Sequence, residues 1–228
     1  MLSVVIPTLD SERLLARTLA CLVSATVQGL VREVILVDGG SRDETAMVAE
    51  ETGAQFIRTP PGRASQLRAG AALARSDWLL FLDPGTALDP GWAAEVTSFM
   101  EAAEMRGGLA LERAAVFRFA LDDAGPRARW SERLTALRGA LLGLPRGEQG
   151  LLISRRFYDR LGGYPEVAMT DAAMMCAIGS HRLAHFRTAA VASVMPDNGL
   201  GGLLAPLRDL ASLSLYQLGF RPRSVGRA

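Results

Sequence analysis

The sequence contains no lysine, and all 25 of its basic residues are arginine. This absence excludes a P-loop lysine, a Schiff-base lysine and a lysine general base. Cysteine is scarce as well, since Cys21 and Cys176 are too few for a disulfide framework or a zinc site, which is typical of a reducing compartment. Neither charge is in excess, because the basic residues face 24 acidic ones. We therefore expect no binding to nucleic acid through an overall positive electrostatic field.

Uninterrupted apolar runs of membrane-spanning length are also missing. The N-terminus has no basic region and no small-residue cleavage site, so it does not read as a signal peptide. The apolar stretch Gly199–Phe220 is broken by Pro206, Arg208 and Asp209, which excludes a simple transmembrane helix. These features predict a cytoplasmic protein, with peripheral association at the inner face of the membrane as an alternative.

What the chain does have is enough apolar residue to build a core. Of its 228 residues, 49% are hydrophobic and 21% are charged, which excludes bulk disorder. No Ser/Gly linker, repeat or low-complexity tract divides the chain. We expect a single domain over residues 1–228, in which residues 1–105 form a regular half and residues 106–228 complete the site.

Strand and helix patterns alternate through the first half. Apolar runs predict strands, and 3.6-residue periodicity predicts the helices between them. The strands are expected at Ser3–Ile6, Glu33–Val37, Gln55–Arg58 and Trp78–Leu82, and the helices at Ser11–Leu30, Asp43–Thr52, Arg63–Arg75 and Gly91–Met105. This order predicts an α/β sandwich with a mostly parallel central sheet flanked by helices.

The second half is less regular. Its patterns predict strands at Val116–Asp122, Gly150–Ile153 and Ala189–Val194, and helices at Arg129–Leu142, Arg155–Leu161, Asp171–Ile178 and Leu203–Leu218. The last helix has few charges and no basic face. We expect it to be buried in the core or at an interface, with dimerisation or contact with a membrane surface left open.

Polar clusters follow three of the predicted strands, namely Thr8–Asp10, Asp38–Ser41 and Asp83–Thr86. Ligands in open parallel sheets bind outside the carboxyl ends of the strands. The sequence therefore predicts a ligand site at this edge of the sheet.

Each candidate residue also has a purely structural interpretation. Asp38 is either a turn carboxylate or the acceptor of a hydrogen bond from a nucleotide base. Asp83 is either a turn carboxylate or a group that holds divalent metal and diphosphate. Arg63 begins a helix, where a cation opposes the macrodipole, so it is either a tolerated surface residue or an anion-binding group. Asp171 is either a helix cap or first-turn acid, or a carboxylate that takes a proton.

Several familiar motifs are absent. The first strand-to-helix turn has no glycine, which disfavours a Rossmann dehydrogenase. A nucleophile elbow fails because Asp43 stands where the second glycine is needed after Ser41. His181 and His185 stand four residues apart, but they lack the glutamate of the zinc motif and a third ligand, which favours surface histidines.

Six sequence blocks follow one another along the chain: V-V-I-P-T-L, V-I-L-V-D-G-G-S-R-D-E-T, G-R-A-S-Q-L-R-A-G-A, W-L-L-F-L-D-P-G-T, L-P-R-G-E-Q-G-L-L-I-S and L-G-G-Y-P-E. From about Leu2 to Asp171 the chain resembles the family 2 glycosyltransferases of the GT-A fold. It is most similar to the short bacterial branch labelled radical-SAM/selenodomain-associated transferase 2. The resemblance implies inverting transfer of a sugar from a nucleotide donor, with UDP or GDP, to an acceptor hydroxyl that the sequence does not identify.

The resemblance also implies roles for individual positions, with the donor bound mainly by residues 1–105. Asp83 stands at the first acid of the D-x-D-type motif, and Asp171 at the general base. The remaining substrate-binding positions are Pro7, Thr8, Leu9, Asp10 and Asp38 around the base and ribose, Gly39, Gly40, Arg63 and Gln66 along the donor, and Glu148 and Gln149.

This chain departs from the family pattern at three positions. Gly85 replaces the usual metal-binding acid, Thr170 replaces the glutamate before the base, and Arg68 replaces an asparagine. We therefore expect Mg²⁺ or Mn²⁺ to be bound weakly through Asp83 or to be dispensable. Arg63 and Arg68 would then neutralise the leaving diphosphate.

Two other functions remain as hypotheses. Gly85 and Thr170 favour a non-catalytic member of the fold that binds a nucleotide or a partner without turnover. A nucleotidyltransferase shares the nucleotide chemistry, but it normally carries a glycine-rich, lysine-containing loop after its first strand, which this chain lacks.

Overall fold

The structure, a computed structural model, describes residues 1–122, 149–167 and 169–193. Its strands are β1 (Leu2–Thr8), β2 (Val31–Asp38), β3 (Gln55–Arg58), β4 (Trp78–Phe81), β5 (Thr86–Leu88), β6 (Ala114–Leu121), β7 (Leu151–Ser154) and β8 (Leu183–Ala192). Its helices are α1 (Glu12–Val27), α2 (Thr45–Thr52), α3 (Arg63–Leu73), α4 (Trp92–Arg106), α5 (Arg155–Arg160) and α6 (Thr170–Ile178). The helices predicted at 129–142 and 203–218 lie outside the described residues.

The strands form one mixed sheet in the order β3-β2-β1-β4-β7-β6-β8-β5. Strands β3, β2, β1 and β4 run parallel to one another, as expected for the first half of the chain. Strand β7 then pairs antiparallel with both β4 and β6, and β5 pairs antiparallel with β8. The α/β sandwich is thus confirmed. The sequence pattern did not predict β5 or the places where the strand direction changes.

Helices cover both faces of the sheet because side chains along each strand alternate between them. On β4, Trp78 and Leu80 join the core beneath α1 and α4, whereas Leu79 and Phe81 join the core beneath α3, α5 and α6. Continuous burial on both faces explains why the strands read as uninterrupted apolar runs. None of the helices within the described ranges has the length and apolarity needed to cross a membrane.

Helix α3 lies unusually close to the sheet at Gly70. A Cβ atom at this position would stand 2.3 Å from Cγ1 of Val5 and 2.9 Å from Cγ2 of Val37. Only glycine permits this approach. The contact sets the height of α3 above β1 and β2, and it thereby positions Arg63 and Gln66 at the amino-terminal end of the helix.

Candidate functional site

A cleft of about 400 Å³ opens at the carboxyl ends of β1 and β4. It is lined by Pro7, Thr8, Leu9, Ser11, Leu14, Arg63, Gln66, Asp83, Pro84, Gly85, Thr86, Ala192 and Ser193. The cleft lies at the sheet edge where the sequence predicts a ligand site. Its far wall, formed by Leu14, Ala192 and Ser193, was not foreseen, because apolar and small side chains carry no chemical signal.

The loops that follow β1 and β2 are joined to each other by side-chain-to-backbone hydrogen bonds. The Ser41 hydroxyl accepts from the Asp10 N–H over 2.8 Å, and the Asp10 carboxylate accepts from the Arg42 N–H over 2.8 Å. A third bond runs from the Ser11 N–H to the Thr45 hydroxyl. Asp10 has φ = +47°, a conformation that Asp tolerates better than most residues. Asp10 therefore fixes the rim of the cleft.

Asp38 ends β2 and is fully buried. Its carboxylate accepts hydrogen bonds from the N–H groups of Gly40 and Ser41, both over 3.0 Å, and from the Ser41 hydroxyl. The turn interpretation of Asp38 is therefore what the structure shows. Because Asp38 is buried and holds this turn, we expect its removal to destabilise the fold. Its contact with a nucleotide base stays a prediction.

Gln66 ties α3 to the ends of β1 and β2. Its side-chain N–H₂ group donates to the carbonyl oxygens of Thr8 and Val37, each over 2.8 Å. A Cβ at Gly39 would stand 3.2 Å from the same nitrogen, which explains the glycine there. Gly40 has φ = +105°, the left-handed region that favours glycine. Gln66 lines the cleft, but its amide nitrogen is used to hold α3 to the ends of β1 and β2.

Arg63 lies between two carboxylates that are far from each other in sequence. Its Nε–H donates to Oδ2 of Asp171 over 2.7 Å, and Nη2 lies 3.3 Å from Oδ1. Its Nη1 lies 2.6 Å from Oδ1 of Asp83. The latter is a close ion pair without hydrogen-bond alignment, so this buried oxygen has no directed donor among the described residues. The three side chains are 34%, 23% and 18% exposed for Arg63, Asp171 and Asp83.

The proton affinities of this cluster reflect its burial. Burial alone lowers the pKa of Arg63, but the carboxylates of Asp83 and Asp171 outweigh it and raise the pKa above its ordinary value. Burial raises the pKa of Asp83, an effect that Arg63 opposes and Asp171 reinforces. Burial and the charge of Asp171 likewise raise the pKa of Tyr164. Arg63 is thus a permanent cation, and it has acids on both sides.

Asp171 lies in the first turn of α6, but it does not cap the helix. The capping position belongs to Met169, and no side chain makes a cap hydrogen bond. The carboxylate instead turns toward Arg63. Of the two structural interpretations, the N-cap is wrong and the first-turn acid is right.

Two of the substituted positions serve the scaffold. Nη1 of Arg68 lies 3.2 Å from the carbonyl oxygen of Gly162 and 3.1 Å from that of Tyr164, so it holds the loop before α6. The Thr170 hydroxyl donates to the carbonyl of Pro165. The expectation that Arg68 is free to meet a diphosphate is not supported by these contacts.

The family resemblance implies a divalent cation, for which the site would need suitable ligands. Within the described ranges no group of three His, Cys, Asp or Glu side chains could hold a metal ion. Asp83 stands alone, and its inner oxygen faces the Arg63 guanidinium. Gly85 has φ = +84°, and a Cβ there would meet Leu14 and Ser193 first. With a guanidinium against the inner oxygen of Asp83 and no second acid beside it, the described part of the chain does not fit Mg²⁺ or Mn²⁺.

The remaining predicted residues lie away from this cluster or outside the structure. The Gln149 amide donates to the carbonyl of Phe117 over 2.9 Å, and it is not among the described residues that line the cleft. Glu148 lies outside the described residues. His181 lies in a short 3-10 turn and His185 in β8, so these two histidines do not share a helix.

Part of the chain is similar to known glycosyltransferases. Residues 3–108 match the family model described as Glycosyl transferase family 2. Glucosyl-3-phosphoglycerate synthase of Mycolicibacterium paratuberculosis is 33% identical over 91 residues, which cover 36% of this chain and 27% of that protein. The chain thus aligns with about a quarter of the length of this curated relative.

Solved structures match over the whole chain. Glucosyl-3-phosphoglycerate synthase from Mycobacterium tuberculosis in complex with Mn²⁺ and uridine-diphosphate-glucose has a TM-score of 0.67 at 20% identity, covering 100% of this chain and 82% of that chain. A second structure of the M. tuberculosis enzyme has a TM-score of 0.68 at 21% identity, covering 100% and 84%. The fold of this chain is therefore that of the GT-A glycosyltransferases.

Proposed function

We propose that this protein is an inverting glycosyltransferase that uses a nucleotide-sugar donor. The observation that carries the proposal is the cluster of Asp83, Arg63 and Asp171, which comes together from both halves of the chain at the edge of the cleft. A sugar transfer needs a carboxylate to remove the acceptor proton and a positive group to meet the leaving diphosphate. The cluster supplies both.

In the reaction that we propose, an acceptor hydroxyl oxygen attacks the anomeric carbon of the donor. The bond from that carbon to the diphosphate oxygen breaks, and the electron pair leaves with the nucleoside diphosphate. The acceptor proton passes to Asp171, the only described acid that shares Arg63 with Asp83. Arg63 faces the departing phosphate, since a guanidinium forms paired hydrogen bonds with phosphate oxygens.

The base and ribose are assigned to the part of the cleft formed by the loops after β1 and β2. Pro7, Thr8 and Leu9 line it. Their loop is held by the bond from the Arg42 N–H to Asp10 and by a bond from the Thr8 hydroxyl to Asp38 over 3.4 Å. We place the donor in residues 1–105 and the acceptor against residues 106–228. The solved relative carries uridine-diphosphate-glucose, which favours UDP over GDP as the first donor to test.

A second candidate is binding of a nucleotide sugar without turnover. It is favoured by Gly85, whose backbone leaves no room for an acid without strain, and by Thr170, which is buried and bonded within its own loop. Four finer expectations stay predictions: the radical-SAM/selenodomain-associated branch, a cytoplasmic location, membrane-surface association and a homodimer.

The test is a thermal-shift screen of the purified protein against UDP, GDP and their sugar conjugates. A ligand at 100 times its Kd stabilises a protein by about 2.7 kcal/mol, which is readily measured. Donors that bind are then incubated with candidate acceptors, and released nucleoside diphosphate is quantified. Release that depends on an acceptor supports the enzyme, and binding with no release under any acceptor supports the second candidate. If none of these nucleotides stabilises the protein, both are overturned.

A further inference from the structure

We propose that this site binds the diphosphate of its donor through Arg63 and without a bound divalent cation. The inference rests on the proposed function, because it concerns the same cleft. It departs from the Mn²⁺ complex of the solved relative.

The first support comes from the backbone at Gly85. Its N–H donates to the Thr18 hydroxyl over 2.9 Å, and its carbonyl accepts from the Ser193 N–H over 3.1 Å. These bonds hold the residue at φ = +84°, where a side chain is strained. A Cβ at this position would also stand 3.2 Å from Cδ2 of Leu14. The second acid of a metal-binding pair therefore has no unstrained place in this loop.

The second support is the position of Arg63 beside the acid that remains. Divalent cations bind carboxylate oxygens at about 2.0–2.6 Å. The Nη1 atom of Arg63 already lies 2.6 Å from Oδ1 of Asp83. A divalent ion approaching that oxygen would meet the positive guanidinium at contact distance. Arg63 therefore already supplies the positive charge beside Asp83.

The third support is that Arg63 keeps donors for a ligand. A guanidinium has five N–H groups. One on Nε and one on Nη2 go to Asp171, and Nη1 lies beside Asp83 as an ion pair without hydrogen-bond alignment. The remaining N–H groups belong to a side chain that lines the cleft and is about one-third exposed. A diphosphate entering the cleft can thus be met by paired N–H···O bonds without first breaking either ion pair.

The experiment is a calorimetric titration of the wild-type chain with UDP and with GDP, performed once in EDTA and once with added Mn²⁺. We expect the nucleotide that binds to show the same affinity in both buffers. Binding that disappears in EDTA and returns with Mn²⁺ would overturn the inference and leave the proposed function intact. Failure of both nucleotides to bind in either buffer overturns the proposed function itself.

Variants at Arg63 then test the residue. Arg63→Ala should weaken the nucleotide about 10- to 100-fold in either buffer, because it removes charge-assisted hydrogen bonds. Arg63→Lys keeps the charge but lacks the planar guanidinium. Its nucleotide affinity should lie between those of the wild type and Arg63→Ala. The control is Arg106→Ala, which removes an exposed arginine at the end of α4. Affinity that is unchanged in Arg63→Ala, in a chain that still unfolds cooperatively, would overturn the role of Arg63.

Discussion

Arg63 and Asp171 are separated by 108 residues, yet the Arg63 Nε–H donates to the Asp171 carboxylate over 2.7 Å. The bond joins the first turn of α3 to the first turn of α6, on the same face of the sheet. It connects the half of the chain that we assign to the donor with the half that we assign to the acceptor. The orientation of the proposed base is thereby set by the residue proposed to meet the leaving group.

The first prediction concerns the base. Asp171→Asn keeps the size of the side chain and an oxygen toward Arg63, so the melting temperature should change little. Transfer should fall by roughly 10²–10⁴, the usual contribution of a positioned base. Nucleotide affinity should be nearly unchanged. Turnover is measured as released nucleoside diphosphate, with the exposed acid variant Asp159→Asn as the control. Wild-type turnover in Asp171→Asn would contradict the assignment.

The second prediction links Asp83 to stability and pH. Because the folded state raises the pKa of Asp83, it holds that proton more tightly than the unfolded chain does. This contribution to stability is complete below the ordinary aspartate pKa of about 3.9, and it is lost as pH rises through the higher folded pKa. Asparagine does not titrate, so the Asp83→Asn variant does not lose this stability as pH rises. Its free energy of unfolding should therefore improve relative to wild type from acidic to neutral pH.

Urea denaturation over that pH range measures the effect. The control is Asp77→Asn, an exposed acid at the opposite end of β4, which should show no such trend. An Asp83→Asn chain that becomes steadily less stable than wild type as pH rises would show that the charged form is favoured by folding.

The third prediction concerns the turn after β2. Asp38→Ala removes a fully buried carboxylate and takes the acceptor away from the N–H groups of Gly40 and Ser41. The free energy of unfolding should fall by about 1.5–3 kcal/mol, the usual contribution of a hydrogen bond to a charged group. Nucleotide affinity should fall with it, because the same turn carries Ser41, which holds Asp10. Denaturant unfolding is the measurement, with the exposed Glu50→Ala on α2 as the control. Unchanged stability would count against this role for Asp38.

The fourth prediction separates strain from metal binding at Gly85. Both Gly85→Asp and Gly85→Asn must adopt φ = +84° beside Leu14, so both should lose about 1–3 kcal/mol of stability. We expect Mn²⁺ to raise the melting temperature of neither variant. The asparagine variant is the matched control, since it has the same shape without the charge. A Mn²⁺-dependent rise confined to Gly85→Asp would show that the cation site can be restored by one residue.

Local signals in the sequence determined most of the elements. The run Gln55–Arg58 is strand β3 with the predicted bounds, and Gly53 ends α2 in the left-handed conformation, as a glycine after a helix does. These features depend on periodicity and on the conformational freedom of one residue, which neighbours in sequence suffice to fix. The same locality explains why the three-residue strand β5 was not predicted, as it is too short to show a period.

The sequence also determined the edge of the sheet at which the cleft lies. Parallel strands end together, so polar residues after β1, β2 and β4 must lie near one another whatever else the chain does. The tertiary structure alone decided which of these side chains meet. The Asp38 carboxylate accepts hydrogen bonds within its own turn, whereas Asp83 and Asp171 both contact Arg63. Such pairings depend on the height of α3 over the sheet and on the place of α6, which packing between distant segments sets and no local pattern encodes.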